Sequence, residues 1–194
     1  MKAPKSKQPL PDHAEKVFSG AIFDAYQWPQ AQYDGTVKTF EKLKRADTVL
    51  IIPIIEDGRL IFMHEEQPGK VAFVGFVGGR VEEGEDPAES ARRELLVETG
   101  YAADELVLIE AVQPVTKIEW SVYTYVAPGS RKVAEQNLDS GEKIDLKFLT
   151  LDEAVELMAR DDFADREGNL PRLAIRALYD VGKREELKRV LLGE

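Results

Sequence analysis

The pattern of apolar and polar residues predicts mainly strands in the first eighty residues. Residues 48–55 form a nearly continuous β-branched run of the kind found in a buried central strand, and a turn at 56–58 leads into a second strand at 59–64. Upstream, β-rich stretches at 17–28 and 36–40 are separated by a proline and a Tyr-Asp-Gly turn. They predict a small antiparallel unit ahead of the hairpin.

The second half of the chain adds one internal helix, further strands and closing helices. The internal helix is predicted at 87–99, and the polar segment 127–141 is predicted to be a loop. We expect further strands at 71–77, 106–112, 119–126 and 143–149, and closing helices at 152–159, 173–181 and 184–192. Strands interleaved with a helix and followed by helices predict an α/β (α+β) fold.

The predicted helix 87–99 has start and stop signals. Asp86 is a natural N-cap, Pro87 suits the first helical position, and Glu89 completes an acidic capping pattern. Gly100 can adopt the left-handed conformation that ends a helix. Both ends of the helix are therefore specified by residues of the segment itself.

Two glutamates of this helix lie at one-turn spacing. At about 100° per residue, Glu94 and Glu98 lie roughly 40° apart, with side-chain bases about 5–6 Å from one another. That separation suits carboxylates sharing a site with divalent cations about 3.5–4 Å apart. Val97 points about 60° away from Glu94, so it is a neighbour of this pair and not a substitute ligand.

Composition excludes several classes of protein and site. The 194 residues fit one ordinary domain with a small appendage. A net charge of −10 argues against a general nucleic-acid binder or a binder of anionic membranes, because either needs a basic face. The chain has no cysteine and two histidines, which excludes thiolate chemistry and three-histidine metal sites. A polyanionic substrate would need local basic residues or bound metal.

The N-terminal segment is predicted to be disordered. Residues 1–16 are basic at the start and contain prolines, and they lack the apolar stretch of a secretory signal, so we expect a disordered arm. No apolar run reaches the roughly 18 residues of a membrane-spanning helix. The expected location is the cytoplasm.

The segment 79–101 resembles the signature of the Nudix hydrolases, a glycine followed at fixed spacing by acidic residues, an Arg-Glu pair and a closing glycine. The matching positions are Gly79, Glu85, Arg93, Glu94, Leu95, Glu98 and Gly100. Tyr101 takes a position that is usually aliphatic, a mild departure. Val97 takes the position of the first glutamate of the Glu-Glu pair, which is a serious departure.

The resemblance implies a Nudix-type α/β/α sandwich with a mixed sheet that hydrolyses nucleoside diphosphates linked to another moiety. It implies Mg²⁺ or Mn²⁺ as cofactor, which fits the oxygen ligands available. By residue match, Glu94 and Glu98 are expected as metal ligands together with the carbonyl of Gly78, and Glu94 also as a catalytic residue. Arg93 and Glu85 are expected to form a structural ion pair.

The N-terminal region resembles that of the ADP-ribose pyrophosphatases, so we divide the chain into an N-terminal β unit at 17–46 and a Nudix domain at 47–194 with the C-terminal helices. In such relatives this unit builds a homodimer and stacks an aromatic residue on the base. Trp28 or Tyr26 is the candidate, with burial in the dimer or in the unit's own core as the alternative. Arg45 is assigned to the substrate on the same resemblance.

Relatives of this group often take a water-activating acid from outside the signature. Glu142 is the first choice and Asp139 the second, with a solvated turn as the alternative. Glu119 matches a glutamate on a substrate-facing strand, or it is an edge-strand charge. Glu65 and Glu66 could also reach the site. Near this position in the sequence the relatives often have an arginine that binds the diphosphate, and this chain lacks it.

Val97 leaves two functions open. The expected one is hydrolysis of ADP-ribose or a related nucleotide sugar to AMP and a sugar phosphate. The alternative is a catalytically weakened nucleotide-binding or regulatory module. Hydrolysis of oxidised nucleotides or diadenosine polyphosphates is a third possibility, which the N-terminal unit disfavours.

Overall fold

In residues 4–193, the part of the chain that the computed structural model describes, the apolar runs form the strands of two sheets. The strands are β1 Glu15–Ser19, β2 Asp24–Ala31, β3 Val37–Lys44, β4 Thr48–Ile55, β5 Leu60–Glu66, β6 Phe73–Gly75, β7 Val77–Arg80, β8 Tyr101–Ala102, β9 Val107–Val112, β10 Ile118–Glu119, β11 Val122–Lys132 and β12 Lys143–Leu149. The helices are α1 Pro87–Thr99, α2 Leu151–Ala159, α3 Leu170–Ala177 and α4 Val181–Leu192.

The buried run β4 lies inside the larger, mixed sheet. Its strand order is β12-β5-β4-β11-β8, with β6, β7 and β9 paired to β5, β4 and β11. Strands β4 and β11 are parallel, and the other pairs of this sheet are antiparallel. Alternate residues of β4 face opposite sides: Val49 and Ile51 pack with Leu95 of α1, whereas Leu50 and Ile52 pack with α2, α3 and α4. The predicted α/β/α sandwich is therefore confirmed.

The smaller sheet has the order β1-β2-β3-β10 and extends beyond the predicted unit at 17–46. Strand β10 joins it from the distant segment Ile118–Glu119 and runs parallel to β3, so the unit is not wholly antiparallel. Pro29 does not end the second strand as expected, because β2 continues opposite β3 to Ala31. Pairing with β1 reaches only Gln27, so Pro29 lies where one neighbouring strand remains to bond.

The predicted loop at 127–141 is wrong in its first part. Strand β11 continues to Lys132, because its end pairs with Tyr101 and Ala102 just after α1. No helix in the described residues is long and apolar enough to cross a membrane.

The predicted disordered arm at 1–16 includes residues 1–3, which lie outside the described residues. Residues 4–14 contain no strand or helix, and β1 begins at Glu15. The buried ammonium of Lys42 donates to the hydroxyl of Ser6 at 3.1 Å and to the carbonyl of Gln8 at 2.6 Å. These contacts place Ser6 and Gln8 against the small sheet, and disorder of the arm stays a prediction.

Candidate functional site

The helix α1 forms where its end signals place it. The carboxylate of Asp86 accepts a hydrogen bond from the backbone N–H of Ala88 at 2.8 Å, and Gly100 adopts a left-handed conformation with φ of 72°. Leu95 packs into the core beneath the sheet, which leaves Glu94 and Glu98 at the edge of the buried face. The helix thereby presents both carboxylates towards the strand β7.

Arg93 joins the glycine-rich loop to the helix. Its guanidinium donates to Glu85 at 3.1 and 2.9 Å and to Glu94 at 2.6 Å, so the predicted ion pair between Arg93 and Glu85 is present in the structure. The hydroxyl of Ser90 also donates to Glu85. Hydrogen bonds from Arg93 and then from Ser90 lower the pKa of Glu85 to about 2.

Glu98 of α1 is a deeply buried acid beside β7. The residue is 5% exposed, and one of its carboxylate oxygens accepts a hydrogen bond from the backbone N–H of Gly78 at 2.9 Å. Burial raises the pKa of Glu98 to about 9, with smaller effects of neighbouring carboxylates. Burial also raises the pKa of Glu94 and outweighs the opposing effect of Arg93. Both groups lie where a nearby cation would favour their charged forms.

A cavity of about 930 Å³ collects residues from many parts of the chain. Among the residues predicted from sequence, its lining includes Arg45, Gly78, Arg93, Glu94, Glu98, Asp139 and Glu142. Sequence reasoning did not select several other charged residues that also line it, namely Lys70, Arg80, Glu82, Asp165 and Glu167. The signature helix therefore forms one wall of a larger charged cavity.

The two acids considered for water activation sit differently in this cavity. Asp139 is exposed, whereas Glu142 is half-buried, and the backbone N–H of Glu142 donates to the carbonyl of Asp139 at 2.9 Å. The charge of Glu142 raises the pKa of both Glu94 and Glu98, after the larger effect of burial. Of the two acids, Glu142 is therefore the one whose charge acts on the buried carboxylates. Its role as the base stays a prediction.

Trp28 and Glu119, two of the predicted substrate-binding residues, do not line this cavity, so in the single chain this prediction is corrected. Trp28 is 4% exposed, packs against Phe40 with ring centroids 6.1 Å apart and donates its indole N–H to Gln30 at 3.1 Å. It belongs to the core of the small sheet, which was the alternative for this residue. Glu119 does not line the cavity, because the buried ammonium of Lys42 binds its carboxylate at 2.5 Å.

Tyr26 remains available as an aromatic candidate. It is half-buried and lines a second cavity of about 670 Å³, which also contains Arg45 and Arg80. These two arginines line both cavities, so the second cavity adjoins the first. A ligand bound at the carboxylates could extend towards Tyr26 past these cations.

Arg45 lies where the two cavities adjoin. Its guanidinium lies over the ring of Trp120 at 4.8 Å and over that of Phe23 at 5.7 Å. Its buried Nε has no hydrogen-bond partner among the described residues. Burial lowers the pKa of Arg45, and nearby Arg80 lowers it further. Two cations that repel each other beside an unsatisfied N–H form a site suited to an anion.

The segment between α2 and α3 supplies an acid that no local pattern indicates. The carboxylate of Asp165 accepts a hydrogen bond from the backbone N–H of Phe76, which lies 89 residues earlier, at 2.6 Å. Phe163 is buried against Phe62 and Phe76, so the segment is anchored beside β6. A side chain at Gly75 would collide with the Asp165 carboxylate, and the glycine leaves room for it.

Asp165 gives a prediction for stability against pH. Burial raises its pKa to about 7 in the folded chain, so the stability this group contributes is full below pH about 4 and is lost as the pH rises through 7. Between pH 5 and 8 in EDTA, we expect the unfolding free energy of the wild type to fall by about 2 kcal/mol more than that of Asp165→Asn. Urea unfolding at several pH values measures this, and parallel curves for the two proteins would contradict it.

The residues present fit a hard divalent cation. A side chain at Gly79 would collide with the Glu94 carboxylate, so this glycine leaves room for Glu94 beside β7. A side chain at Gly78 would collide with the carbonyl of Val49 on the neighbouring strand β4. The carboxylate and carbonyl oxygens here are the donors that Mg²⁺ and Mn²⁺ prefer. In residues 4–193, no three acidic or histidine side chains are already arranged around one point. The fit therefore rests on Glu94, Glu98 and the Gly78 carbonyl.

Comparison with known proteins gives a family match, two relatives and a similar solved structure. Residues 44–172 match the NUDIX domain. The chain is 30% identical over 145 residues to a methanol dehydrogenase activator of Bacillus methanolicus, covering 73% of this chain and 78% of that protein. It is 27% identical over 154 residues to an ADP-ribose pyrophosphatase of Bacillus subtilis (strain 168), covering 78% of this chain and 83% of that protein. A crystal structure of an ADP compounds hydrolase superposes with a TM-score of 0.70 at 20% identity, over 91% of this chain and 96% of that one.

Proposed function

This chain belongs to the Nudix family, and on that premise we propose that it hydrolyses a nucleoside diphosphate linked to another moiety. The substrate we favour is ADP-ribose or a related nucleotide sugar, because one relative is an ADP-ribose pyrophosphatase. The products would be AMP and a sugar phosphate. Members of this family generally use divalent metals, and Mg²⁺ or Mn²⁺ is the cofactor we propose here.

One observation carries this proposal, namely that a single cavity is lined by both carboxylates and guanidinium groups. Glu94 and Glu98 lie beside Gly78, whereas Arg45 and Arg80 make no ion pair among the described residues. A diphosphate needs both, because its oxygens bind divalent cations and also accept hydrogen bonds from guanidinium groups. The arrangement suits a charged diphosphate better than a neutral ligand.

Different residues of the cavity would bind the cation, accept the proton and stabilise the leaving phosphate. Glu94, Glu98 and the Gly78 carbonyl would hold the divalent cation, which when bound neutralises phosphate charge and acidifies coordinated water. Glu142 would accept the proton of the attacking water as its oxygen bonds to one phosphorus. The bridging oxygen would leave with the other phosphate, and Arg45 would stabilise the negative charge there.

We also propose a homodimer built on the small sheet. Apolar side chains are exposed on this sheet and beside it, including Phe18 at 60% and Val37 at 64% exposure. Exposed apolar side chains grouped on one unit are typical of a protein interface. Sedimentation equilibrium of the purified chain would measure its mass, and a monomer at all concentrations would contradict this proposal.

The experiment for the function is a substrate panel with and without metal. We expect AMP to be released from ADP-ribose in Mg²⁺ or Mn²⁺ and no AMP to be released in EDTA. Anion-exchange chromatography measures the AMP. Other nucleotide sugars, diadenosine polyphosphates and oxidised nucleoside triphosphates complete the panel. No metal-dependent product from any of them would overturn the proposal.

Val97 favours a second function, a nucleotide-binding or regulatory module with weakened catalysis. Its side chain lines the cavity where the family signature has a carboxylate. Calorimetry with ADP-ribose separates the two functions, because the module binds the nucleotide without turnover. Activity gained only in Val97→Glu would favour the module.

A further inference from the structure

The cavity contains a buried carboxylate that the family signature does not include. Glu65 lies on β5 opposite Ile144 of β12, is 6% exposed and lines the same cavity as Glu94 and Glu98. The side-chain amide of Gln67 donates a hydrogen bond to it. Among the described residues it forms no ion pair.

The next residue shows what an ordinary surface glutamate of this strand does. Glu66 is exposed, and the ammonium of Lys143 binds its carboxylate at 3.0 Å. Successive residues of a strand point to opposite faces, so Glu66 points away from the cavity into which Glu65 projects. Glu66 therefore provides a control on the same strand, because it is a glutamate that does not line the cavity.

The position of Glu65 is costly without a cation. Glu98 and Glu142 line the same cavity as Glu65. The negative charge of Glu142 repels that of Glu65, the charge of Glu65 repels that of Glu98, and burial removes the water that would screen them. An attractive charge acts on Glu65 from Lys70, which is exposed and lies over the ring of Phe73 at 3.5 Å. Buried carboxylates grouped in this way are normally offset by a bound metal or a paired cation.

We infer that Glu65 is the third carboxylate of the divalent-cation site and replaces the one that Val97 lacks. Val97 and Glu65 line the same cavity from α1 and from β5. Glu65 acts through a coordinated water, because no three acidic side chains of residues 4–193 are arranged around one point and Mg²⁺ usually keeps several waters in protein sites. This inference rests on the proposed function, since it assigns a residue to the metal site of that reaction.

The test measures the binding of Mn²⁺ alone to the full chain, by electron paramagnetic resonance and calorimetry. We expect Glu65→Gln to weaken Mn²⁺ binding about 10- to 100-fold, and Glu66→Gln to leave it unchanged. The double variant with Glu65→Gln and Val97→Glu should regain most of the affinity, because a carboxylate returns to the cavity from the opposite wall. Thermal unfolding in EDTA checks that each variant is folded.

The outcomes separate this inference from the proposed function. Wild-type affinity in Glu65→Gln would overturn the inference and leave metal-dependent hydrolysis standing. Weak binding that Val97→Glu does not restore would also overturn it, because Glu65 would then have a structural role. A wild-type chain that binds no Mn²⁺ would overturn both.

Discussion

Glu98→Gln is expected to lower kcat/KM for the hydrolysed nucleotide by about 10³-fold without unfolding the chain. The amide has nearly the size of the carboxylate, and its oxygen can still accept the hydrogen bond that Gly78 donates to Glu98 at 2.9 Å. It lacks the negative charge that holds a divalent cation, whose stabilisation of a phosphoryl transition state is about 4 kcal/mol. Initial rates at saturating Mg²⁺ measure the loss.

Glu89 provides a control on the same helix, and the stability of Glu98→Gln provides a second measurement. Glu89→Gln changes an exposed acid of the same helix, whose carboxylate lies 4.0 Å from Arg92, and should leave kcat/KM unchanged. In EDTA, burial raises the pKa of Glu98 to about 9, so the stability that this group contributes is full below pH about 4.5 and is lost as the pH rises through 9. The stability of Glu98→Gln relative to the wild type should therefore increase from pH 5 to pH 9. An intact hydrolytic rate in Glu98→Gln would remove Glu98 from the metal site.

The parts predicted from sequence are those whose causes are local. The helix α1 spans Pro87–Thr99 because Asp86 caps its start and Gly100, in the left-handed conformation, ends it. The strand β4 has the predicted bounds, since a continuous apolar run can only be buried on both faces. The pair Glu94 and Glu98 follows from helical spacing alone.

The parts that sequence missed depend on contacts between distant segments. Trp28 is in a core because Phe40 faces it across the strand pair, and Glu119 is drawn away from the cavity by Lys42. Neither partner is marked by any pattern near the residue it affects. Asp165 likewise enters the cavity wall only because Phe163 anchors its segment beside β6.

Arg93→Lys is expected to lower kcat/KM by about 10²-fold and the unfolding free energy by about 1 to 2 kcal/mol. The guanidinium binds Glu85 through two nitrogens, Glu94 through a third, and the carbonyl of Arg80 at 3.0 Å. A lysine ammonium is a point charge without the planar fork, so it cannot hold these groups together. Glu94 would then lose its fixed orientation towards the cation. Steady-state kinetics and urea unfolding measure the two effects.

Arg92→Lys is the matched control, because Arg92 is exposed. Within residues 4–193 its side chain donates a hydrogen bond only to the carbonyl of Ala103, at 3.2 Å, and lies 4.0 Å from the carboxylate of Glu89. The pH dependence identifies the lost contact. Arg93 and Ser90 lower the pKa of Glu85 to about 2, so the stability from this group is present above pH about 4.5 and is lost as the pH falls through 2. The stability difference between the wild type and Arg93→Lys should therefore shrink from pH 5 to pH 2. A difference that stays constant over this range would mean that Arg93 acts through packing, and the ion pair with Glu85 would not be the cause.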